Sequence, residues 1–369
     1  MKVLVHYNEI GLKGRNRAYF ENSLINNIRK KIKFNNLKKE EKRVIFDTNE
    51  DINILKDVFG ISHFSIVEEV ENKVDKILDK AESLMGDAKR LGLKTNRSDK
   101  KFPLTSIELN TKIGEIANNK GIKIDFSNPD KTVYIEITNK NAYIYSEKIK
   151  GLGGLPIGVS GKVLLLFSGG IDSALAAFLL MKRGCKVDFL HFHALRNNNE
   201  VMDSKIINIL NILKKYQEEI KLYLVPYHNY QLSVMEKFDD KLDVVMFRNF
   251  ILRFGQLIAK KKKYKGIGTG DNLGQVASQT LDNLNAAGYR VTLPILRPLL
   301  TFDKQEIIDL AKKIGTYEES IKIYKDCCSI ISKKASTSVK IKSVEENLEK
   351  IDFDKIIEKS LEEMEIRKI

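Results

Sequence analysis

Residues 168–173, Ser-Gly-Gly-Ile-Asp-Ser, combine side-chain types that suit a phosphate-binding site. Glycines let an anion approach the backbone, and the hydroxyl groups of Ser168 and Ser173 can donate hydrogen bonds. The carboxylate of Asp172 should repel phosphate, but it fits such a site if it binds a Mg²⁺ that bridges the phosphates. Because an ordinary strand-to-helix turn has similar glycines, the stretch alone predicts either a phosphate site or a plain turn.

The residues around this stretch predict the elements that position it. Val163 to Phe167 is an unbroken apolar run, as in a strand buried on both faces. A helix that begins after the glycines directs free N–H groups and the positive end of its dipole at the turn. This context favours the phosphate site. Apolar residues with helical spacing follow the turn at Ile171, Ala174, Leu175, Phe178 and Leu179.

Strands and helices alternate from residue 162 onward, which is typical of an α/β doubly wound parallel sheet. Because ligands bind at the carboxyl ends of parallel strands, His191, His193 and the segment Thr269–Thr280 should meet the glycine turn. A zinc site is not expected, since the two histidines have no cysteine partners nearby. Further candidates for contacts with phosphate, metal or substrate are Arg248, Gly270, Asp271, Gln275, Gln279, Arg297 and Lys304.

Structural roles stay open for several of these residues. One of the two histidines could be a buried, hydrogen-bonded core residue. Arg248 could belong to a solvated helix face. Asp303 and Glu306 have the spacing of a capping box, which accounts for both without any ligand.

The first 155 residues mix strands and helices in an α+β pattern. Residues 1–70 predict a small ferredoxin-like unit. Residues 71–155 predict a second unit, with a helix from Val74 to Leu91. A glycine-rich linker over 151–158 favours a domain boundary near residue 155.

Two loops in this half, Glu9–Arg17 and Arg97–Pro103, are rich in basic residues and could contact phosphates. Phe102, in the second loop, could stack on a nucleic-acid base. It could equally be a hydrophobic plug at the head of the following helix.

Composition limits the class of protein. With 369 residues, a formal charge of +14 and a pI near 9.3, we expect two or three domains and a polyanionic partner, or simply a lysine-rich surface. Three cysteines exclude a disulfide scaffold and fit a reducing cytoplasm. The sequence has no apolar run long enough to span a bilayer and starts with a strand rather than a signal peptide, so we expect no membrane association.

Cys327 and Cys328 are adjacent, a spacing that does not suit a structural zinc site. The lysines at 325, 333 and 334 would lower the pKa of a thiol, which could then act as a nucleophile or persulfide carrier. An unreactive role is also compatible with this spacing. Cys185, beside a helix-ending glycine, predicts core or edge packing.

Several of these segments resemble known families. Residues 168–173 resemble the PP-loop of ATP pyrophosphatases, which split ATP into AMP and pyrophosphate to adenylate a substrate. Residues 71–155 resemble the THUMP domain, an RNA-binding module. Over nearly its whole length the chain resembles the tRNA 4-thiouridine synthetase family. The motifs that carry this resemblance are Glu9–Arg17, Arg97–Pro103, Gly153–Pro156, Ser168–Ser173, Leu190–His193, Leu273–Thr280, Arg297–Leu299 and Asp326–Cys328.

The resemblance implies a ferredoxin-like domain (1–70), a THUMP domain (71–155) and a PP-loop catalytic domain with a helical tail (156–369). It implies an enzyme that uses ATP and Mg²⁺ to adenylate the C4 oxygen of uridine 8 in tRNA, so that sulfur replaces this oxygen and gives 4-thiouridine. Cys328 matches the family's sulfur-handling cysteine, with Cys327 as the close alternative. Lys304 matches its functional lysine.

The resemblance also implies which residues contact the ligands, with Asp172 near Mg²⁺. For ATP they are Phe167, Ser168, Gly169, Gly170, Asp172, Ser173, His191, Phe192, Arg248, Gly270, Asp271 and Gln279. For RNA they are Lys13, Arg15, Arg17, Arg97, Lys100, Lys101 and Phe102.

One departure from the family concerns the sulfur source. Residues 344–366 predict a single charged helix, and only about forty residues follow Cys328, too few for the rhodanese domain that many members carry. We therefore expect sulfur from a separate cysteine desulfurase or from sulfide. The resemblance implies a homodimer, and an iron–sulfur cluster is not expected.

Two alternatives stay open. The chain could be another PP-loop enzyme, which adenylates a different base or forms an amide. It could also be a non-catalytic tRNA-binding protein that ATP regulates.

Overall fold

A computed structural model of the protein describes residues 1–235, 237, 239–325, 327 and 336–369. These residues form two compact units, Met1–Pro156 and Ile157–Ile369. Within the described residues, no helix is both long and apolar enough to cross a bilayer.

The first unit contains two sheets and three α-helices. Its strands are β1 (Lys2–His6), β2 (Asn35–Glu40), β3 (Arg43–Asp47), β4 (His63–Ile66), β5 (Glu68–Glu71), β6 (Arg90–Arg97), β7 (Lys123–Ile124), β8 (Lys131–Ile137), β9 (Asn141–Tyr145) and β10 (Ile149–Lys150). Its helices are α1 (Arg17–Lys31), α2 (Val74–Met85) and α3 (Ser106–Asn119), with 3₁₀ turns at Glu9–Leu12, Gly14–Asn16 and Ile52–Asp57.

The second unit alternates strands and helices. Its strands are β11 (Lys162–Leu166), β12 (Lys186–His193), β13 (Lys221–Pro226), β14 (Gly266–Gly268), β15 (Ile295–Leu296) and β16 (Glu365–Lys368). Its helices are α4 (Ile171–Lys182), α5 (Asn198–Met202), α6 (Lys205–Leu213), α7 (His228–Val234), α8 (Asp243–Lys261), α9 (Leu281–Ala287), α10 (Lys304–Ile314), α11 (Tyr317–Ser320), α12 (Ile341–Leu348) and α13 (Phe353–Glu362), with a 3₁₀ turn at Ala277–Gln279.

The first sheet of the N-terminal unit has the antiparallel order β10-β4-β1-β3-β2. Because side chains alternate along β1, Val3 and Val5 pack with Leu24 and Ile28 of α1 on one face. On the other face, Leu4 packs with tyrosines of β9. This arrangement confirms the predicted α+β, ferredoxin-like start of the chain.

The second sheet has the order β5-β9-β8-β6-β7, and α2 and α3 pack on one of its faces. The predicted helix over 74–91 is wrong beyond Met85. Gly86 ends α2 with a φ of 59°, a region open to glycine, and Leu91 is already a buried strand residue of β6.

Phe102 is 4% exposed and packs in the core between α2, α3 and this sheet. Stacking of its ring on a base is therefore wrong for this structure, and the alternative of a hydrophobic plug is correct. Thr105 and Glu108, which follow it, form a capping box at the start of α3.

The sheet of the second unit has the order β15-β14-β11-β12-β13-β16, and all neighbours are parallel except β13 and β16. This order confirms the predicted doubly wound parallel sheet. The chain moves outward from β11 to β13 and then returns to β14 on the other side of β11. The crevice between the carboxyl ends of β11 and β14 is the switch point at which such sheets bind ligands.

The single helix predicted over 344–366 is wrong. The segment forms α12 and α13, separated near the buried Ile351, and Asp352 caps α13 by accepting a hydrogen bond from Lys355 N. It ends in β16, which pairs antiparallel with β13. Only Glu365 and Ile366 of β16 lie within the predicted range, so the main error is the missed break between α12 and α13.

A buried carboxylate joins the two sheets of the N-terminal unit. Glu136 on β8 accepts a hydrogen bond from Tyr145 (2.7 Å), and it forms ion pairs with His6 Nε2 (2.9 Å) and with Arg43. Burial raises the pKa of Glu136, but His6 and Arg43 outweigh this effect and lower it to about 2. This carboxylate therefore stays ionised between the sheets at neutral pH.

We expect Glu136→Gln to destabilise the N-terminal unit by about 3 kcal/mol at pH 7, because it leaves the Arg43 charge buried without its partner. A lowered folded-state pKa contributes stability that is lost on acidification. The difference from the unchanged protein should thus shrink as the pH falls from about 4.5 to about 2. Hydrogen exchange of the β1, β3 and β8 amides measures this difference. Glu115→Gln, an exposed change on α3, is the control and should have no effect.

Candidate active site

The turn between β11 and α4 has the backbone of an anion-binding loop. Gly169 has a φ of 75°, a left-handed conformation that favours glycine, and a Cβ atom there would lie 2.3 Å from Ile206 Cδ1, which would have to move. Ser173 Oγ donates to Gly170 O (3.0 Å), and Gly170 N donates to Ser168 Oγ (3.3 Å). Because Gly170 precedes α4 and has no side chain to cap it, the first N–H groups of the helix can serve a ligand.

The segment after β14 lies against this turn, as the parallel sheet predicts. A Cβ atom at Gly270 would lie 2.8 Å from Ser173 N, so the two loops are in close backbone contact. Gln279 lies further along this segment, in a 3₁₀ turn. Its Oε1 atom is buried and has no hydrogen-bond partner among the described residues.

Three segments meet at Asp172. Its Oδ1 accepts from Lys304 Nζ (2.8 Å), and its Oδ2 accepts from Gln275 Nε2 (3.0 Å). Lys304 is the first residue of α10, whose N-terminus is closed by the predicted capping box of Asp303 and Glu306. The N-termini of α4 and α10 therefore converge on one carboxylate, at a place suited to negatively charged groups.

Asp271 is buried beneath this region and accepts hydrogen bonds from three side chains. It accepts from Arg248 Nη2 (2.5 Å), Arg297 Nε (3.1 Å) and Thr269 Oγ1 (2.9 Å). Burial raises its pKa, but Arg248, Thr269 and Arg297 outweigh this and hold it below its usual range. The carboxylate thus orients the side chains of the two arginines.

His191 is fully buried, and both of its ring nitrogens have partners. Nδ1 lies 2.7 Å from Phe167 O and Nε2 lies 2.8 Å from the hydroxyl of Tyr324. Burial lowers the pKa of His191 to about 4, against the opposing effect of the Phe167 carbonyl. The ring is therefore neutral at pH 7, donates through Nδ1 and accepts from Tyr324.

The neighbours of His191 have core roles. The ring of Phe192 packs with Phe247, Phe250 and Phe254. His193 is buried, with Nε2 2.7 Å from Asn198 Oδ1, which agrees with the structural alternative for one histidine of the pair.

Of the two adjacent cysteines, the structure describes only the first. Cys327 is 4% exposed and belongs to the main core of the second unit. Cys328 lies outside the described residues. In the part of the chain that is described, no group of three or more His, Cys, Asp or Glu side chains could hold a metal ion.

The predicted RNA contacts in the first unit are mostly at the surface. Arg15, Lys100 and Lys101 are exposed. Lys13 lies over the ring of Phe20 (5.1 Å), and Arg17 pairs with Glu21 (2.7 Å).

Arg97 differs from these residues, since its Nη1 donates to Phe102 O (3.0 Å) and Leu104 O (3.1 Å). Its guanidinium group therefore stabilises the loop by binding two of the backbone carbonyls in it.

Sequence reasoning missed two residues beside the site, Tyr324 and Asn283. Asn283 is fully buried and donates to Ala277 O and Ser336 O, both at 2.7 Å. No local pattern points to it, because Ser336 is distant in sequence. Only its closeness to the cysteines could have drawn attention to Tyr324.

Three family models match consecutive parts of the chain. The ThiI ferredoxin-like domain matches residues 2–65, and the THUMP domain matches residues 66–147. The model described as Thiamine biosynthesis protein (ThiI) matches residues 158–353.

Curated relatives match the chain almost from end to end. The probable tRNA sulfurtransferase of Caldanaerobacter subterraneus subsp. tengcongensis is 37% identical over 374 residues and covers 98% of each chain. The protein of the same name from Moorella thermoacetica is 36% identical over 376 residues, covering 99% of this chain and 96% of its own.

Solved structures agree with these matches. A crystal structure of a 4-thiouridine synthetase–RNA complex with bound ATP has a TM-score of 0.87 and 30% identity, over 100% of this chain and 99% of that one. A protein of Pyrococcus horikoshii Ot3 has a TM-score of 0.65 and 28% identity, over 85% and 99%. With a family model over more than half of its residues and relatives of this identity over its length, the chain belongs to the ThiI family.

Proposed function

We propose that this protein is an ATP-dependent tRNA sulfurtransferase, which adenylates the C4 oxygen of uridine 8 in tRNA and replaces it with sulfur to give 4-thiouridine. One observation carries this function: an open glycine turn at the N-terminus of α4, with Asp172 held by Lys304 at its rim. Relatives named tRNA sulfurtransferase and a 4-thiouridine synthetase structure with RNA and ATP support it.

ATP would bind with its phosphates at the turn, against the free N–H groups of α4 and the hydroxyls of Ser168 and Ser173. His191 and Phe192 have buried side chains, so they would contribute through their main chain near the carboxyl end of β12. The buried Oε1 of Gln279 is an acceptor that suits a donor group of the nucleotide.

Mg²⁺ would be held largely by the phosphates, with Asp172 as its protein ligand. The carboxylate fits this role, because it is partly exposed and its Oδ1 already accepts a hydrogen bond from the cationic Lys304 Nζ at 2.8 Å. When bound, the ion would neutralise phosphate charge at the reacting centre.

In the first half-reaction, the uracil O4 attacks the α-phosphorus, the bond to pyrophosphate breaks and the N3 proton leaves. Lys304, which pairs with Asp172 at the phosphate loop, would stabilise the negative charge that develops there. In the second half-reaction, a sulfur nucleophile attacks C4, the bond from C4 to the AMP oxygen breaks and AMP leaves. With sulfide this gives 4-thiouridine directly, whereas a persulfide on a cysteine would also need a thiol to cleave its S–S bond, with formation of a disulfide. We assign the sulfur-handling role to Cys328, because Cys327 is buried in the core.

We propose the division 1–70, 71–155 and 156–369, with tRNA binding in the first two domains and catalysis in the third. Sulfur would come from a separate cysteine desulfurase or from sulfide, and the working unit would be a cytoplasmic homodimer. Against a purely regulatory ATP site stands the Asp172–Lys304 pair, whose side chains are 23% and 45% exposed and so accessible to a ligand.

We expect Lys304→Met to lower AMP and 4-thiouridine formation together by about 100-fold, since it removes one charge that stabilises the transition state. Stability should change little, because the pair with Asp172 is partly solvated. Purified protein, unmodified tRNA, ATP, Mg²⁺ and sulfide are incubated, and nucleosides are identified by mass spectrometry. Lys313→Met, an exposed change on the same helix, is the control. Full activity of Lys304→Met would contradict the assignment.

Asp271→Asn tests the structural role of the second carboxylate. We expect a loss of about 3 kcal/mol of unfolding free energy at pH 7, because two arginines lose a buried anion. Since the pKa of Asp271 is lowered, this loss should diminish as the pH falls below the usual range of an aspartate. Urea unfolding followed by circular dichroism measures it, with the exposed Asp309→Asn as control. Equal stabilities of the two variants would show that Asp271 is not needed for packing.

The exposed basic residues should contribute to tRNA affinity through phosphate contacts. We expect the triple change of Arg15, Lys100 and Lys101 to alanine to weaken tRNA binding and to reduce the slope of log K against log salt by about one per charge removed. Fluorescence anisotropy over a salt series gives the slope. Lys359→Ala, on α13, should leave both values unchanged. An unaltered slope in the triple variant would place the RNA elsewhere.

A further inference from the structure

A lysine from a part of the second unit without an assigned role lies against the glycine turn. Lys205 is the first residue of α6, and its Cε atom lies 3.6 Å from the position that a Cβ atom would take at Gly169. Its Nζ atom is one covalent bond further along the side chain. The ammonium group of Lys205 therefore lies beside the turn at which the proposed function places the phosphates of ATP.

Both ends of this lysine residue are held in place. Before it, Ser204 caps α6 with its hydroxyl oxygen, which accepts a hydrogen bond from Ile206 N (3.2 Å). Ile206 is fully buried and packs against Gly169, so the first turn of α6 is fixed next to the glycine turn. The ammonium group donates to Ser320 O (2.7 Å) and to Lys322 O (2.9 Å). These two acceptors are uncharged peptide groups, which orient the ammonium group but do not neutralise its charge.

The charge of Lys205 acts on the carboxyl ends of β11 and β12. Burial lowers the pKa of His191 to about 4, and the charges of His193 and Lys205 add smaller effects in the same direction. The Nδ1 atom of His191 lies 2.7 Å from the carbonyl oxygen of Phe167, the residue directly before the glycine turn. The positive charge of Lys205 therefore acts at the base of the turn, where it would stabilise a bound anion.

A purely structural role of Lys205 has to be distinguished from ligand binding. Ser320 is the last residue of α11, and a lysine that donates to the last carbonyls of a helix stabilises the helix C-terminus. This role needs the N–H donors of the side chain but no phosphate. It does not account for the approach of the same side chain to Gly169, whose backbone leaves room for an anion.

We propose that Lys205 binds the β- and γ-phosphates of ATP and stabilises them as the pyrophosphate leaving group. This inference rests on the proposed function. When the uracil O4 attacks the α-phosphorus, the bond from this atom to the oxygen that bridges to the β-phosphorus breaks. The electron pair of this bond stays on pyrophosphate, which therefore gains negative charge. An ammonium group at the glycine turn stabilises this charge.

The two lysines of the site would then have different roles. Lys304 pairs with Asp172, and Lys205 lies against Gly169, three residues earlier in the loop. Lys304 would act at the reacting α-phosphate, and Lys205 at the other end of the triphosphate. Lys205 would therefore contact groups that ATP and pyrophosphate share and that AMP lacks.

The test compares three ligands of the full chain: pyrophosphate, AMP and α,β-methylene-ATP, an analogue that is not cleaved at the α-phosphorus. Isothermal titration calorimetry with Mg²⁺ measures the affinity of each. We expect Lys205→Met to weaken the binding of pyrophosphate and of α,β-methylene-ATP by about tenfold each, the effect of one lost hydrogen bond between charged groups. The affinity for AMP should stay the same. Lys215→Met, an exposed change just after α6, is the control and should leave all three affinities unchanged.

Two further variants separate the charge of Lys205 from its structural contacts. Lys205→Arg keeps the charge and should recover most of the affinity for pyrophosphate. Lys205→Gln removes the charge but keeps N–H donors for Ser320 O and Lys322 O, so it should bind the three ligands as Lys205→Met does. It also provides the comparison if Lys205→Met does not fold.

An equal loss of affinity for all three ligands, or no loss for any of them, would overturn the binding role. So would normal pyrophosphate affinity in Lys205→Gln, or a failure of both uncharged variants to fold, since each would assign Lys205 to the structure alone. Absence of α,β-methylene-ATP and AMP binding by the unchanged protein would contradict the ATP site of the proposed function, which the failure of the Lys205 variants alone would not.

Discussion

The arrangement of the second unit depends on one buried carboxylate below the candidate site. Asp271 connects Arg248 of α8, Arg297 after β15 and Thr269 after β14, so three elements that are far apart in sequence share one charge centre. Burying one anion with two cations is favourable only if every partner is in place. The hydrogen bonds of Asp271 therefore hold the carboxyl edge of the sheet in place without a ligand. The loops at this edge can then be accessible to a ligand and still be well positioned.

The two aspartates of the site differ in burial and in their hydrogen-bond partners. Asp271 is 6% exposed and accepts three hydrogen bonds, two of them from arginines, so it is buried and strongly paired. Among the described residues, Asp172 pairs with one lysine and one amide, and both partners come from a loop or a helix start. A carboxylate held by such partners can exchange them for a ligand. This contrast in burial and partners is the physical basis for our proposal that Asp172 takes part in the chemistry and Asp271 supports the structure.

The sequence predicted features that depend on local pattern. Local patterns predicted the apolar strand before residue 168, the helix after the turn and the parallel sheet, because strands and helices differ in hydrophobic periodicity. The glycines predicted the turn. The predicted helix over 74–91 is too long, because Gly86 already ends α2 and the residues from Arg90 onward belong to β6. The bonds of His191 to Tyr324 and of Asn283 to Ser336 join distant segments, and no single-sequence pattern encodes them.

The antiparallel strand β16 has a consequence for solubility. It pairs with the outer side of β13, from Lys221 to Leu224. Without β16, the peptide groups on this side of β13 would have no strand to pair with. Such a row of peptide groups, on a strand as apolar as Leu222 to Val225, is a template for pairing with other chains and for aggregation. β16 itself has only four residues, and Glu365, Arg367 and Lys368 among them discourage further strand addition. The short, charged strand β16 thus protects an apolar sheet edge from pairing with other chains.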